Sequence, residues 1–253
     1  MLPFMLRAAG AKYRPAEAVQ SGPSTAPPGT PILWYTSSEI PNSWGQWPNK
    51  GSLGTGYNLI PYSGTPSIST LPDAASKRSV LLNGTNLQFA NSGSIQLHAV
   101  SSASPMLIAA VVNFGGSAYL GIVGSQGLST TLPNGFGAFA FPSMQEVYDN
   151  DGVPVSFTAG WSAGTSTQLV ILHDTSNNVY WYEAKTSGAI VAVAGSYGAA
   201  FTIRGVTGMR SVAASNAYIS ELVVYNTNHN TTFAQSVRDW LGSNYAGVGR
   251  VNA

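Results

Sequence analysis

From Ile32 onward, clusters of Gly, Pro, Asn and Ser cut the chain into short runs, and this punctuation is the feature that most limits the folds open to it. The runs include Ser79 to Leu82, Leu107 to Phe114, Gly135 to Phe141, Val155 to Trp161, Gln168 to His173, Val179 to Glu183 and Tyr218 to Tyr225. They are rich in β-branched and aromatic residues, and runs of this length bounded by turn formers read as strands. No alternation of strand and helix accompanies them, so the pattern speaks for a sandwich or barrel and against a parallel α/β sheet. Leu107-Ile-Ala-Ala-Val-Val112 is apolar on both parities, as a strand with a layer packed on each face must be. Ser220 and Glu221 break the apolar pattern of Tyr218 to Tyr225, which predicts a shorter buried stretch there. Gln168–His173 and Val179–Glu183, joined by Asp174-Thr-Ser-Asn-Asn178, read as a hairpin whose Asx and Ser side chains bond their own backbone.

One helix is expected, near the C-terminus. Phe233, Val237, Trp240, Leu241 and Tyr245 fall on one helical face. Thr232 and Gln235 have the spacing of a capping box, and Gly247 supplies a stop. So short a helix is marginal alone in water and must lay its apolar face on the sandwich.

Composition narrows the function classes. Only 8% of residues are charged, against about 25% in an ordinary globular protein. Eleven Lys/Arg against ten Asp/Glu leave a formal charge of +1, so nucleic-acid binding driven by bulk charge is not expected. The chain contains no cysteine and 44% apolar residues, which rules out a disulfide scaffold and argues against whole-chain disorder. Purely apolar runs such as Leu107 to Val112 fall far below the ~18 residues of a membrane helix, and no membrane partner is expected. The opening Met-Leu-Pro-Phe-Met-Leu-Arg is not read as a secretory signal, since Arg7, Lys12 and Arg14 follow the apolar stretch and Pro3 interrupts it.

Residues 1–31 differ in kind. Pro15, Pro23, Pro27, Pro28 and Pro31 stand among small and polar residues, a composition that favours extended, polyproline-like chain. Such a segment has no core of its own and is ordered only against something else. Residues 1–31 are therefore expected to be a docking arm, and residues 32–253 the folded body. In the arm, Leu2, Phe4 and Leu6 are the apolar anchors; Arg7, Lys12 and Arg14 are the cations that meet partner carboxylates or carbonyls.

Several stretches together carry a family likeness. They are Ile32-Leu-Trp-Tyr-Thr36, the loop Trp47-Pro-Asn-Lys-Gly-Ser-Leu-Gly-Thr-Gly-Tyr-Asn-Leu59, Ser79-Val-Leu-Leu-Asn-Gly-Thr85, and Ile219-Ser-Glu-Leu-Val-Val-Tyr-Asn226 before the helix closing in Asp239-Trp-Leu-Gly-Ser-Asn-Tyr245. In order and spacing, over roughly residues 32–247, they resemble the laminin-G-like, concanavalin A-like lectin/glucanase modules. The resemblance implies a jelly-roll sandwich of two antiparallel sheets, here with an extended N-terminal arm and one C-terminal helix. Such modules occur in bacterial surface and secreted proteins and in the particles of tailed bacteriophages. With the arm, the low charge and the absence of cysteine, the expected function is a non-enzymatic structural protein of a virus particle: a capsid decoration, fibre or tail-associated module. Its arm would hold other virion subunits or further copies of itself. The alternative is a carbohydrate-binding adhesin at a bacterial surface or outside the cell.

Candidate chemistry is sparse. The superfamily's hydrolases resemble one another in a Glu-x-Asp-x-x-Glu strand motif, and it is absent here. Glu146 and Asp149 fall on opposite strand faces, whereas retaining hydrolysis needs two carboxylates about 5 to 5.5 Å apart. His98, His173 and His229 are scattered, and no Gly-x-Ser-x-Gly elbow is present. No cofactor is expected; the one seat for a cation is Asp149-Asn-Asp151-Gly152, where Asp149 and Asp151 are candidate calcium ligands but further oxygens are missing. For sugar binding, Ser43-Trp44-Gly-Gln46-Trp47 is the best loop, with two indoles as platforms and Gln46 between them. Trp161, Trp181 and Tyr182 lie in expected strands. Glu221, in an otherwise apolar strand, reads as a structural carboxylate.

Overall fold

A computed structural model of the chain describes residues 25–83, 86–92, 95–97, 106–115, 119–124, 135–141, 144–148, 154–157, 164–173, 178–183, 190–193, 201–203, 205–206, 216–227 and 229–248. The fold is all-β, a jelly-roll-like sandwich of two large antiparallel sheets with a C-terminal helix. The first sheet runs β14 (Ile190–Val193), β13 (Asn178–Glu183), β12 (Ser166–His173), β7 (Met106–Gly115), β17 (Asn216–Tyr225), β4 (Ala74–Asn83), β3 (Ser67–Leu71), and β1 (Leu33–Tyr35) also pairs with β17. The second runs β11 (Pro154–Phe157), β10 (Met144–Tyr148), β9 (Gly135–Phe141), β8 (Tyr119–Gly124), β16 (Gly205–Val206), β5 (Asn86–Phe89), β2 (Leu59–Ser63). A small third pair joins β6 (Ile95–Leu97) to β15 (Phe201–Ile203). The expected hairpin is present as the antiparallel pairing of β12 with β13; its loop lies outside the described residues.

The double parity of Leu107 to Val112 is resolved by β7. Met106, Ile108, Ala110 and Val112 point into one apolar cluster with Leu59, Leu87 and Phe89 of the second sheet. Leu107, Ala109 and Val111 point into the other, with Ala234, Val237, Trp240 and Leu241 of helix α1 (Thr231–Asn244). The molecule is thus layered as sheet, sheet and helix, with β7, β12 and β17 in the middle. Each fully buried aliphatic side chain contributes about 1.5–3 kcal/mol, which is how the layers stay together with only two ion pairs among the described residues.

Two local expectations are corrected. Strand β17 is continuous, and both Ser220 and Glu221 are fully buried within it. A β-bulge between Ile219 and Glu221 adds one residue, so the side chains facing the second sheet change from Ala217 and Ile219 to Leu222 and Val224. The polar pair is the product of that parity change, not the end of the buried stretch. Helix α1 is capped by Asn230, whose Oδ1 accepts from Phe233 N at 2.9 Å, rather than by Thr232. Thr231 and Thr232 occupy the first turn instead. The expected face is otherwise in place, with Val237, Trp240, Leu241 and Tyr245 buried, Phe233 half-buried and Gly247 at φ +90° beyond the end.

The loop between β1 and β2 packs tightly against β1 and the residues just before it. Asn49, buried, accepts from Trp34 N and from Gly51 N, both at 2.9 Å, and donates through Nδ2 to Gly54 O at 3.1 Å. Its own N–H donates to Asn58 Oδ1 at 2.8 Å. This brings Gly51 so close to β1 that an added Cβ would lie 2.4 Å from the Ile32 carbonyl oxygen. Gly51→Ala should therefore destabilise the fold by about 1–3 kcal/mol through overpacking. Gly45→Ala, whose added Cβ meets nothing within 4 Å, should leave the urea midpoint unchanged; equal midpoints for the two variants would contradict the close approach.

Candidate functional site

Trp47, the indole expected to serve as a sugar platform, is fully buried. Its Nε1 donates to Thr36 O at 2.9 Å, its ring packs on Tyr35 with centroids 5.7 Å apart, and its backbone forms a two-way bridge with Leu59. It is a core residue and presents no face to a ligand. Trp44 is half-buried against the same core, and its indole N–H has no hydrogen-bond partner among the described residues. Gln46 is exposed, as are Ser43 and Gly45. The loop that holds these residues is pinned at its far end by Arg78, which donates to Pro41 O at 2.8 Å and to Asn42 Oδ1 at 3.1 Å.

Sequence reasoning missed Tyr62. Among the residues whose side chains are described, the exposed large apolar ones are Leu53 and Tyr62, at 37% and 43%. Tyr62 sits in edge strand β2, where the register with β5 slips between Pro61 and Ser63, and a bulge at an edge re-aims the side chain it carries. Because Trp47 and Leu59 form an antiparallel bridge, Gln46 and Ile60 leave it in the same direction. At ~3.3 Å per residue, Tyr62 stands ~10 Å beyond Leu59. Gln46 thus adjoins this bridge on one side, and Tyr62 lies three residues beyond it on the partner strand. The Pro61-Tyr62-Ser63 sequence carries no advance sign of the bulge.

Glu221 is the other feature of note. Fully buried, it accepts from Trp34 Nε1 at 2.6 Å, from Ser37 N at 3.4 Å and from the Tyr245 hydroxyl. Tyr245 and Ser37 are themselves linked, Oγ to OH, at 3.0 Å. One carboxyl therefore ties β1, the 3₁₀ turn Ser37–Glu39 and the end of α1 to β17. Burial pushes its pKa up to about 8, opposed by the hydrogen bonds from Tyr245, Trp34, Thr36 and Ser37. Nearby, Gln168 donates through Nε2 to Tyr245 O at 2.9 Å and Val248 O at 2.8 Å, closing carbonyls that the helix end leaves open.

The other carboxylates with described side chains are engaged at the surface or in turns: Glu39 with Lys50 at 3.0 Å, Asp239 with Arg238 at 3.7 Å, and Asp73 with the backbone and hydroxyl of Ser166. Among the described residues no group of three or more His, Cys, Asp or Glu is placed to hold a metal ion, and no helix is long and apolar enough to cross a membrane. His229 donates to or accepts from Thr227 Oγ1 at 2.8 Å and stacks on Phe233. Glu146, His173, Trp181 and Tyr182 lie in β10, β12 and β13. Leu2, Phe4, Leu6, Arg7, Lys12, Arg14, His98, Asp149, Asp151 and Trp161 lie outside the described residues.

Two outcomes follow from these placements. Trp47→Ala should cost about 3–5 kcal/mol, read as a lowered unfolding midpoint, so loss of any binding in that variant would report loss of fold. Glu221 binds its proton more tightly folded than unfolded, so its contribution to stability is complete below about pH 4.5 and is lost as pH rises through about 8. Each tenfold preference for the protonated form is worth about 1.4 kcal/mol. Unfolding free energy should fall across that window in the native chain and run flatter in Glu221→Gln, which keeps the shape without the proton; parallel pH profiles would contradict the assignment.

No family model matches this chain, and no curated protein matches it. Solved structures do. The botulinum neurotoxin serotype G binding domain superposes with a TM-score of 0.54 at 11% identity, covering 85% of this chain and 51% of that one. The botulinum neurotoxin serotype D ligand-binding domain, solved in complex with N-acetylneuraminic acid, gives 0.52 at 9% identity, covering 83% and 50%. A Trypanosoma rangeli sialidase bound to 2,3-difluorosialic acid gives 0.49 at 10% identity, covering 84% and 33%. The chain thus spans about half the length of the neurotoxin domains it matches. At these identities the likeness is one of fold: a β-sandwich shared mostly with binding domains.

Proposed function

We propose that this chain is a non-enzymatic carbohydrate-binding module, acting outside the cell or at a surface, whose glycan contact is the sandwich edge carrying Tyr62, Gln46 and Trp44. The observation that carries the reading is the shared fold with the neurotoxin binding domains, one of them holding N-acetylneuraminic acid. The edge supplies the matching chemistry. Tyr62 offers an exposed aromatic face, and Gln46 offers donor and acceptor to sugar hydroxyls. The engagement of the described carboxylates in structural contacts supports binding over hydrolysis.

The comparisons favour this reading over the virion structural protein expected from the sequence. That expectation leaned on an arm whose anchors, Leu2 to Arg14, lie outside the described residues. A particle component that also grips polysaccharide would satisfy both.

The test is a glycan array, sialylated structures included, probed with the native chain, Tyr62→Ala and Gln46→Ala. Binding should be seen with the native chain and should weaken roughly tenfold, about 1.4 kcal/mol, in Tyr62→Ala, with unfolding midpoints unchanged. No glycan bound across the array would overturn the function. Undiminished binding by both variants would overturn the site.

A further inference from the structure

The end of the proline-rich stretch does not project from the body. Thr25 to Gly29 lie against α1 and the last residue of β17, Tyr225, with Pro27 buried and Pro28 half-buried. Trp240 Nε1 donates to Thr25 O at 3.0 Å, Tyr225 OH donates to Pro28 O at 2.7 Å, and Asn244 Nδ2 donates to Thr25 Oγ1 at 3.4 Å. Tyr225 and Phe233 meet edge to face with centroids 5.3 Å apart, and His229 stacks on Phe233 at 3.8 Å. Indole and phenol donors aimed at the carbonyls of a proline segment, over aromatic walls, are how polyproline helices are recognised, since proline has no N–H to offer and holds its extended shape without ordering cost.

The segment is joined to the body by a narrow hinge. Pro31 is already fixed, its carbonyl accepting from Ser52 N at 2.9 Å, and Ile32 N donates to Val224 O at 2.8 Å. Between groove and body stand only Gly29, at φ +68°, and exposed Thr30. An added Cβ on Gly29 would lie 3.1 Å from Phe233 Cζ, so this residue is fitted both to the turn and to the groove wall. Glycine can leave that left-handed conformation at little cost.

We propose that Thr25–Pro28 is an exchangeable clasp: the aromatic groove of one copy receives the same segment from a second copy, joining two chains reciprocally. Every contact made within one chain is available between two, because the contacts run through carbonyls and ring faces and only the Gly29–Thr30 hinge must change. A short tether sets an effective concentration on the order of mM. The closed monomer therefore dominates in dilute solution, and the exchanged two-fold dimer grows as the chain approaches that concentration.

The chain has no cysteine, so the exchange can be trapped. Full-length Thr25→Cys and Asn244→Cys variants are mixed at about 10 μM and about 1 mM, oxidised, and read by non-reducing gel with mass-spectrometric mapping. The mixed dimer, bridged from position 25 of one copy to position 244 of the other, should increase roughly tenfold or more in yield at the higher concentration, while the double variant closes on itself when dilute. A mixed dimer no more abundant at the higher concentration than the like-with-like dimers overturns the exchange, and a double variant that forms no internal bond overturns the groove itself. Should Asn244→Cys fail to fold, sedimentation of the native chain and Trp240→Phe decides. A dimer at the higher concentration that Trp240→Phe loses supports the clasp; its absence in the native chain, or its persistence in the variant, overturns it.

Discussion

The structure depends on a sheet whose central strands are apolar on both faces. Strand β7 divides its side chains between the second sheet and helix α1, and β12 and β17 do the same on either side of it. A sheet of this kind is unstable in water until both faces are covered, because apolar surface left open costs about 25 cal/mol per Å². The second sheet covers one face. Helix α1, too short to persist alone, covers the other, and the helix and the sheet stabilise each other.

Where the layers meet, polar side chains set the angles. Asn49 binds backbone groups of β1 and of its own loop, Glu221 gathers donors from three separate elements, and Gln168 closes the carbonyls at the end of α1. These groups add specificity more than net stability, since buried polar groups are costly unless paired. They also account for the residues that carry the family likeness: Trp34, Trp47, Asn49, Gly51, Glu221 and Tyr245 are spent on architecture.

Much of the fold was legible because its signals are local. The double parity of Leu107 to Val112, the hairpin spacing of Gln168 to Glu183 and the apolar face from Phe233 to Tyr245 each lie within a single element or a pair of neighbours, and each is present. The misreadings come from contacts between elements. The β17 bulge, which buries Glu221, appears only when β7 is laid alongside. The capping role of Asn230 depends on where the chain leaves β17. Trp47 and Tyr62 illustrate the same limit: both are aromatic residues among turn formers, and only the bridge to Leu59 and the slip against β5 put one inside and the other outside.

By itself, then, the sequence determined an all-β sandwich or barrel with a closing C-terminal helix, because strand-length apolar runs and helical spacing are properties of neighbouring residues. The tertiary structure decided which aromatic side chains are core and which are surface, which carboxyl is buried, and that the last prolines of the opening segment lie on the body's own aromatic face. Those outcomes depend on register and on residues far apart in the chain, as where Trp240 meets Thr25 across a separation of 215. No local pattern encodes such a meeting; burial and hydrogen-bond satisfaction select it when the layers close.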